Sequence, residues 1–239
     1  MSANPIFQFK DERIEHRDLD VPDYLEQNYQ WAYIHPRAVH LFERQWLVNL
    51  ILWGNFARLR DAALTSLGAE LPGKTLQVAC VYGNLTEHLL KRVPKDGELD
   101  VVDVLPIQLQ NLAKKLNSHD QLKLIHGDST SLPFASGHYD RALVFFLLHE
   151  QPEAARQATL AEALRVVKPG GEIVIVDYHR PHPLHPLYLP MTVVLRSLEP
   201  FALDLWRTDL EARLPKGFHG TLTKRTLFGG LYQLLKLTI

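Results

Sequence analysis

From Thr75 to the C-terminus, short β-branched runs alternate with stretches of helical period, and few folds accommodate that rhythm. LQVAC (76–80), ELDVVDV (98–104), LKLIHG (122–127), RALVFFLLH (141–149) and EIVIVDY (172–178) are predominantly apolar strands. Such strands are covered on both faces, as in parallel βαβ sheets. Between them, Leu85, Leu89 and Val93 share one helical face, as do Leu109, Leu112, Ala113 and Leu116 behind Pro106. A further helix runs from Pro152 through Val167 and stops at the KPGG turn, Lys168–Gly171. The proline-rich link RPHPLHPLYLP (180–190) leads to a helix around Thr192–Leu214, and the last twenty residues read as two strands about Gly229-Gly230. The fold class is therefore α/β, a doubly wound and mostly parallel sheet.

The first quarter has a different texture. Residues 1–20 are polar and charged and read as a loose lead-in. Pro22 opens a short helix-like stretch dense in rings, with Tyr24, Tyr29, Trp31 and Tyr33. Pro36 then starts one long helix that ends at Gly68 as its C-cap. Phe42, Trp46, Leu50, Trp53 and Ala57 fall on one stripe of it. Two readings of the stripe stay open: a helix buried on two sides, or a surface that meets an apolar substrate or a lipid headgroup layer. The division of the chain is 1–72, a helical extension that caps the substrate, and 73–239, a cofactor-binding domain.

Bulk properties narrow the function classes. A net charge of −1 over 239 residues gives no electrostatic reason to expect nucleic acid as partner. Cys80 is the single cysteine, so no internal disulfide forms and a reducing compartment fits. The charged opening lacks the apolar core of a signal peptide. The longest near-unbroken apolar run, Trp46–Trp53, is far below the roughly 20 residues of a spanning helix, so the expectation is a soluble or surface-bound protein.

In a parallel sheet, ligands bind beyond the C-terminal ends of the strands. The first strand delivers Val81, Tyr82, Gly83 and Asn84 there, in a strand–turn–helix of the kind that cradles nucleotide-like cofactors. The second delivers Asp103 and Val104, with Asp103 at the spacing from the turn that suits a ribose acceptor. Asp103 could instead cap the helix at Pro106, and Asp128 could cap a turn rather than contact a cofactor with Ser129. The fourth strand ends at His149 and Glu150 and the fifth at Asp177, Tyr178 and His179, followed by His182 and His185. Asp177, His179 and Glu150 offer hard oxygens and imidazole to a metal, although no fixed ligand spacing supports the set. Each also has a structural reading: His149 as a bonded wall residue, Glu150 as a helix cap, Asp177 as an acceptor for neighbouring backbone.

TLQVACVYGNLT, DVVDVLP, GDSTSLPFASGHYD, LRVVKPGGEIVIVDY and LFGGLYQLL together resemble the motif series of class I S-adenosylmethionine-dependent methyltransferases, nearest to the quinone-ring methyltransferases of ubiquinone and menaquinone synthesis. The resemblance implies a seven-stranded sheet with an antiparallel last strand, with Asp103 on the ribose hydroxyls and Asp128 with Ser129 on the adenine edge. Motif one departs from the pattern. Gln77 stands where the family has an acidic residue, and Val81-Tyr82-Gly83 replaces a glycine-rich turn. Valine disfavours the positive φ that glycine supplies, so the usual turn geometry is expected there only with strain. CVYGNLT, YLEQNYQWAYIHP, FERQWLVNLILWGNFARLRDA and FFLLHEQP together resemble the rhodoquinone biosynthesis family RquA, divergent relatives of those methyltransferases. This second resemblance implies replacement of a methoxy group of ubiquinone by an amino group, with S-adenosylmethionine as amino donor and Mn2+ present. On that reading Tyr82, Gln77 and His149 are the catalytic candidates. Gln77, Val81, Tyr82, Gly83, Asp103, Val104, Asp128 and Ser129 hold the cofactor. Tyr29, Trp31, Tyr33 and Trp53 hold the quinone, and Glu150, Asp177 and His179 the manganese. Ubiquinone as substrate carries the further expectation of peripheral contact with the bacterial inner membrane, or with a mitochondrial one.

Overall fold

The computed structural model describes residues 11–28, 45–116 and 119–239. Its centre is one eight-stranded sheet in the order β1-β4-β3-β2-β5-β6-β8-β7. These strands are β1 (Ile14–Glu15), β2 (Lys74–Val78), β3 (Glu98–Asp103), β4 (Leu122–His126), β5 (Tyr139–Phe145), β6 (Val167–Tyr178), β7 (Thr221–Leu227) and β8 (Tyr232–Thr238). The first six pair in parallel. β8 runs antiparallel to both of its neighbours, β6 and β7. The expected doubly wound α/β sheet with an antiparallel last strand is observed, with one strand more than seven.

The additional strand corrects the reading of residues 1–20 as a loose lead-in. Ile14 pairs with Leu124 and is buried, covering part of an edge of β4 that would otherwise present unpaired backbone groups. Arg13 fixes it in place by donating to the carbonyls of Ala113, at 2.7 Å, and Leu116, at 3.3 Å. Those carbonyls lie at the C-terminal end of a helix, where a cation is favoured.

The described helices are α1 (Asp23–Asn28), α2 (Gln45–Ile51), α3 (Phe56–Leu67), α4 (Leu85–Leu90), α5 (Pro106–Lys115), α6 (Glu153–Val166), α7 (Tyr188–Leu198) and α8 (Ala202–Leu205). Two expectations fail here. The single helix to Gly68 is broken between α2 and α3, where Trp53 and Gly54 take φ of 52° and 76°. Asn55 closes the break by donating to the carbonyls of Leu52 and Trp53. The break aims Phe56 into the core, edge-on to Phe145 at 6.3 Å between centroids. Gly68 does end α3, its N–H bonding the Leu64 carbonyl. The helix expected over Thr192–Leu214 instead starts at Tyr188 and stops at Leu198. Pro200 excludes Glu199 from helical geometry, and α8 and a short 3-10 turn (Leu210–Arg213) follow.

The topology fixes where a site can form. From β2 the chain steps outward to β3 and β4, then returns to place β5 on the other side of β2. Right-handed crossovers in opposite directions put their helices on opposite faces, and a crevice opens where the direction changes. That crevice lies beyond Val78 of β2 and Phe145 of β5.

Candidate functional site

The turn after β2 is built around two left-handed residues, Ala79 (φ 69°) and Gly83 (φ 88°). Val81 is not among them, so the strain expected at Val81 falls on Ala79. A side chain on Gly83 would also collide with Phe56, since a Cβ there would lie 2.8 Å from its ring. Gln77 is fully buried beneath the turn: its amide donates to the Ala79 carbonyl at 3.0 Å and accepts from the Thr86 hydroxyl at 3.0 Å. Gln77 therefore ties the strained residue to the first turn of α4 and does not itself line the cavity.

Asp103, at the end of β3, secures the turn from the other side. It accepts the Cys80 N–H at 2.6 Å and the Leu105 N–H at 2.8 Å, one on each oxygen. The Cys80 thiol and the Val104 N–H also bond this carboxylate. Burial pushes this carboxyl up to about 6, against the stabilising pull of the Leu105 and Cys80 backbone N–H groups. Gln108 of α5 donates to the Tyr82 hydroxyl at 2.8 Å and orients that ring over the crevice.

Asp128 closes a turn of its own by accepting the Thr130 N–H at 2.8 Å, and its neighbour Ser129 shares hydrogen bonds with Thr159 and Gln151. Both residues line the same cavity as Asp103, Val104 and Tyr82.

Across the crevice, Asp177 receives four hydrogen bonds: the N–H groups of Leu148, His149 and Tyr178, and His149 Nδ1 at 2.9 Å. Burial opposes a charge on His149, but Asp177 and then the Glu199 and Glu150 carboxylates outweigh it, raising the imidazole to about 9. His149 is thus an imidazolium at neutral pH with its Nε2 edge on the cavity side, 3.8 Å from Glu150 Oε1. Its ring is held edge-on by Tyr178 at 4.7 Å and Phe146 at 5.9 Å.

The manganese set inferred from sequence does not come together. Asp177 has all four acceptor positions taken and is sealed from solvent. His179 Nδ1 bonds the Gly230 carbonyl at 2.8 Å and does not line the cavity. Among the described residues, no cluster of three His, Cys, Asp or Glu side chains is arranged to hold a metal ion. Among the described residues, the donors present do not fit Mn2+.

The whole crevice encloses about 630 Å³. One corner is polar, with the turn, Asp103 and Asp128; across from it stand His149, Glu150 and Glu199, and the rest of the wall is apolar, with Leu47, Ile51, Trp53, Phe146 and Leu195. Among the described residues, four non-glycines have positive φ, and three of them, Trp53, Ala79 and Phe146, border this cavity. Strain of this kind collects at functional sites. Of the expected quinone-binding residues, Trp53 lines the cavity, whereas Tyr29, Trp31 and Tyr33 lie outside the described residues. Sequence reasoning missed Leu25, Gln108, Val194 and Glu199 as lining residues. It noted Tyr24 only as one ring in an aromatic-rich stretch, although Tyr24 also faces the cavity and meets Phe201 edge-on at 6.2 Å. No local motif marks these positions; helices distant in the chain bring them in.

The fold has counterparts among solved structures. An S-adenosylmethionine-dependent methyltransferase from Aquifex aeolicus superposes with a TM-score of 0.58 at 15% identity, covering 86% of this chain and 98% of that one. Phosphoethanolamine N-methyltransferase 2 of Haemonchus contortus, in complex with S-adenosyl-L-methionine, gives 0.63 at 11% identity, covering 91% of this chain and 60% of that one. This is a methyltransferase fold. Residues 75–171, which carry the strained turn, Asp103, Asp128 and His149, match the family model described as a methyltransferase domain. Demethylmenaquinone methyltransferase of Staphylococcus aureus (strain JH9) is 31% identical over 135 residues, 56% of this chain and 55% of the relative. The chain thus aligns with about half the length of the curated relatives it matches.

Proposed function

We propose that this chain is an S-adenosylmethionine-dependent transferase that acts on a quinone, and that the group it transfers is the amino nitrogen, converting ubiquinone to rhodoquinone. The observation that carries the reading is the pairing, in one cavity, of a cofactor-type polar corner with an apolar chamber of quinone character, joined by a turn in which Ala79 is left-handed and Val81 stands where the resembled family has glycine. The cofactor lies against residues 79–82, with its ribose beside Asp103 and its adenine near Asp128 and Ser129. The quinone ring occupies the space between Tyr82 and His149, and its tail leaves along Trp53.

An amine attacks a ring carbon only as the free base. Gln77 is neutral where an acid would favour ammonium, and it acts on the cavity through the turn it supports. His149, protonated at neutral pH, can donate from Nε2 to a quinone carbonyl oxygen and, through the conjugated C=C bond, draw electron density from the methoxy-bearing carbon β to it. Addition of nitrogen at that carbon forms the C–N bond, and loss of the methoxy group as methanol, its proton coming from the amine, restores the quinone. The cofactor's N–Cα bond then breaks by elimination, nitrogen keeping the bonding pair and taking a proton while Cβ loses one, so that rhodoquinone and an unsaturated sulfonium carboxylate are released. No step is assigned to manganese.

A second reading, methyl transfer to a quinone, is favoured by the 31% identity to a demethylmenaquinone methyltransferase. One experiment separates the two. The protein is incubated with ubiquinone and S-adenosylmethionine carrying a heavy nitrogen in its amine and a heavy carbon in its methyl group, and the quinone is analysed by mass spectrometry. Amino transfer gives a quinone that has lost a methoxy group and carries the heavy nitrogen. Heavy carbon on the quinone, with S-adenosylhomocysteine released, establishes the second reading, and an unaltered quinone refutes both.

A further inference from the structure

Among the described residues, ten large apolar side chains are exposed, and eight of them come from two short segments. Trp46, Leu50, Ile51 and Trp53 belong to α2 and the turn after it. Leu184, Leu189, Val193 and Leu198 belong to α7 and its approach. The segments are more than 130 residues apart in sequence, yet Trp53 Nε1 lies 2.8 Å from Met191 Sδ and binds them together. Leu50, Ile51, Trp53 and Leu198 are both exposed and part of the cavity wall, so the two segments form the rim through which the cavity opens.

The exposed residues follow helical spacing. Trp46 and Leu50 are four apart, as are Leu189 and Val193, so each helix turns one apolar stripe outward. Charge is as one-sided as polarity: residues 46–53 and 184–198 contain no Asp or Glu, and their one permanent charge is the exposed Arg196, three positions after Val193. Among the described residues no helix is long and apolar enough to cross a membrane. α7, with 11 residues, spans only about 16 Å.

We infer that this rim is a docking surface for an anionic phospholipid bilayer, on which α2 and α7 lie in the headgroup layer with the cavity mouth facing the acyl chains. Trp46 and Trp53 are amphipathic rings of the kind that settle at a membrane interface, and Arg196 meets lipid phosphate. The outward stripes carry no carboxylate to repel an anionic surface; Glu199, next after Leu198, lines the cavity. The inference rests on the quinone reading for its purpose, delivery of a long-tailed substrate without exposing the tail to water. Its binding test is independent of that reading.

The test uses flotation of the full chain with vesicles of phosphatidylethanolamine and phosphatidylglycerol, compared with vesicles of phosphatidylcholine alone. The wild type is expected to float with the anionic vesicles. The double variant Leu189→Glu/Val193→Glu, at exposed positions outside the cavity wall, is expected to lose at least tenfold in vesicle affinity while keeping its circular dichroism and melting profile. Activity toward a tailless, water-soluble quinone should be unchanged in this variant, and activity toward vesicle-embedded quinone should fall with binding. Arg196→Glu, which alters charge with little apolar area, is expected to weaken anionic binding in the same direction. Wild-type protein that stays in the dense fraction overturns the proposal. So does a double variant that floats like wild type, or a wild-type dimer in solution that these substitutions convert to monomer, since the rim would then be covered by a second copy. If no quinone is converted but flotation behaves as stated, the docking surface stands and the proposed reaction fails.

Discussion

His149 Nδ1 and Asp177 Oδ1 lie 2.9 Å apart at the edge of the cavity, with the imidazole almost sealed from water and the carboxylate wholly so. Burial disfavours the charged ring, and Asp177, Glu199 and Glu150 reverse that preference, placing its pKa at about 9. A group raised in this way adds stability that is complete below its unfolded pKa of about 6.5 and is lost as pH rises through about 9. Asp177→Asn should bring the imidazole titration down toward or below neutrality and destabilise the fold by about 3–5 kcal/mol, since it leaves the other half of a buried pair uncompensated. Titration of the His149 ring signals by NMR, with denaturant unfolding at neutral and alkaline pH, reads both effects. A His149 titration unmoved by Asp177→Asn would mean that this pair does not set the charge.

The turn after β2 supplies a pair of opposite mutations. Ala79→Gly removes a left-handed alanine and should leave stability unchanged or raise it by up to about 1 kcal/mol, the relief of φ offset by backbone entropy. Gly83→Ala introduces a strained φ together with a Cβ set against Phe56, and should cost about 1–3 kcal/mol. Thermal melts of the two variants should therefore shift in different directions, or one should shift far more than the other. Equal losses would place the strain elsewhere.

Gln77→Glu tests the residue beneath that turn. A glutamate can still accept from Thr86 but cannot donate to the Ala79 carbonyl unless it is protonated. Burial raises its pKa, so the variant should lose stability as pH rises, by about 1–3 kcal/mol once the carboxyl ionises. Amino transfer should fall as well, and at low pH, where the protonated acid restores the hydrogen bond, the stability difference should shrink. A variant equally stable at acidic and neutral pH and fully active would remove Gln77 from both roles.

Asp103 offers a pH test of cofactor binding. Its carboxyl is held at about 6 by burial, so it becomes the better acceptor for ribose hydroxyls only above that value. Affinity for S-adenosylmethionine, measured by calorimetry, should weaken as pH falls through about 6, and Asp103→Asn should flatten that dependence while lowering affinity roughly tenfold, the equivalent of about 1.4 kcal/mol. An affinity independent of pH in the wild type would show that ribose is held by other groups.

Much of the sheet is legible in the sequence because each strand from Leu76 to Tyr178 is buried on both faces, and a run such as Ile173–Val176 has few other uses. The positions of Asp103, Asp128 and His149 follow from the same logic, since a strand end in a parallel sheet is a place before it is a shape. The break at Trp53-Gly54 is half legible: Gly54 marks it, but the apolar stripe across it spells one continuous helix. The edge strand at Ile14 is too short to announce itself, and only the open edge of β4 gives it a partner.

What the sequence determined by itself is the order of elements, the burial of the sheet and the set of strand ends that face one crevice, because those depend on local periodicity and on chirality shared by all chains. What only the tertiary structure decided is which side chains meet there. Asp177 is consumed by four hydrogen bonds from three neighbours instead of a metal, Gln77 holds Ala79 from below, and the apolar residues of α2 and α7 are turned out to the cavity's rim. Those outcomes depend on contacts between segments far apart in the chain, and such contacts leave no periodic trace.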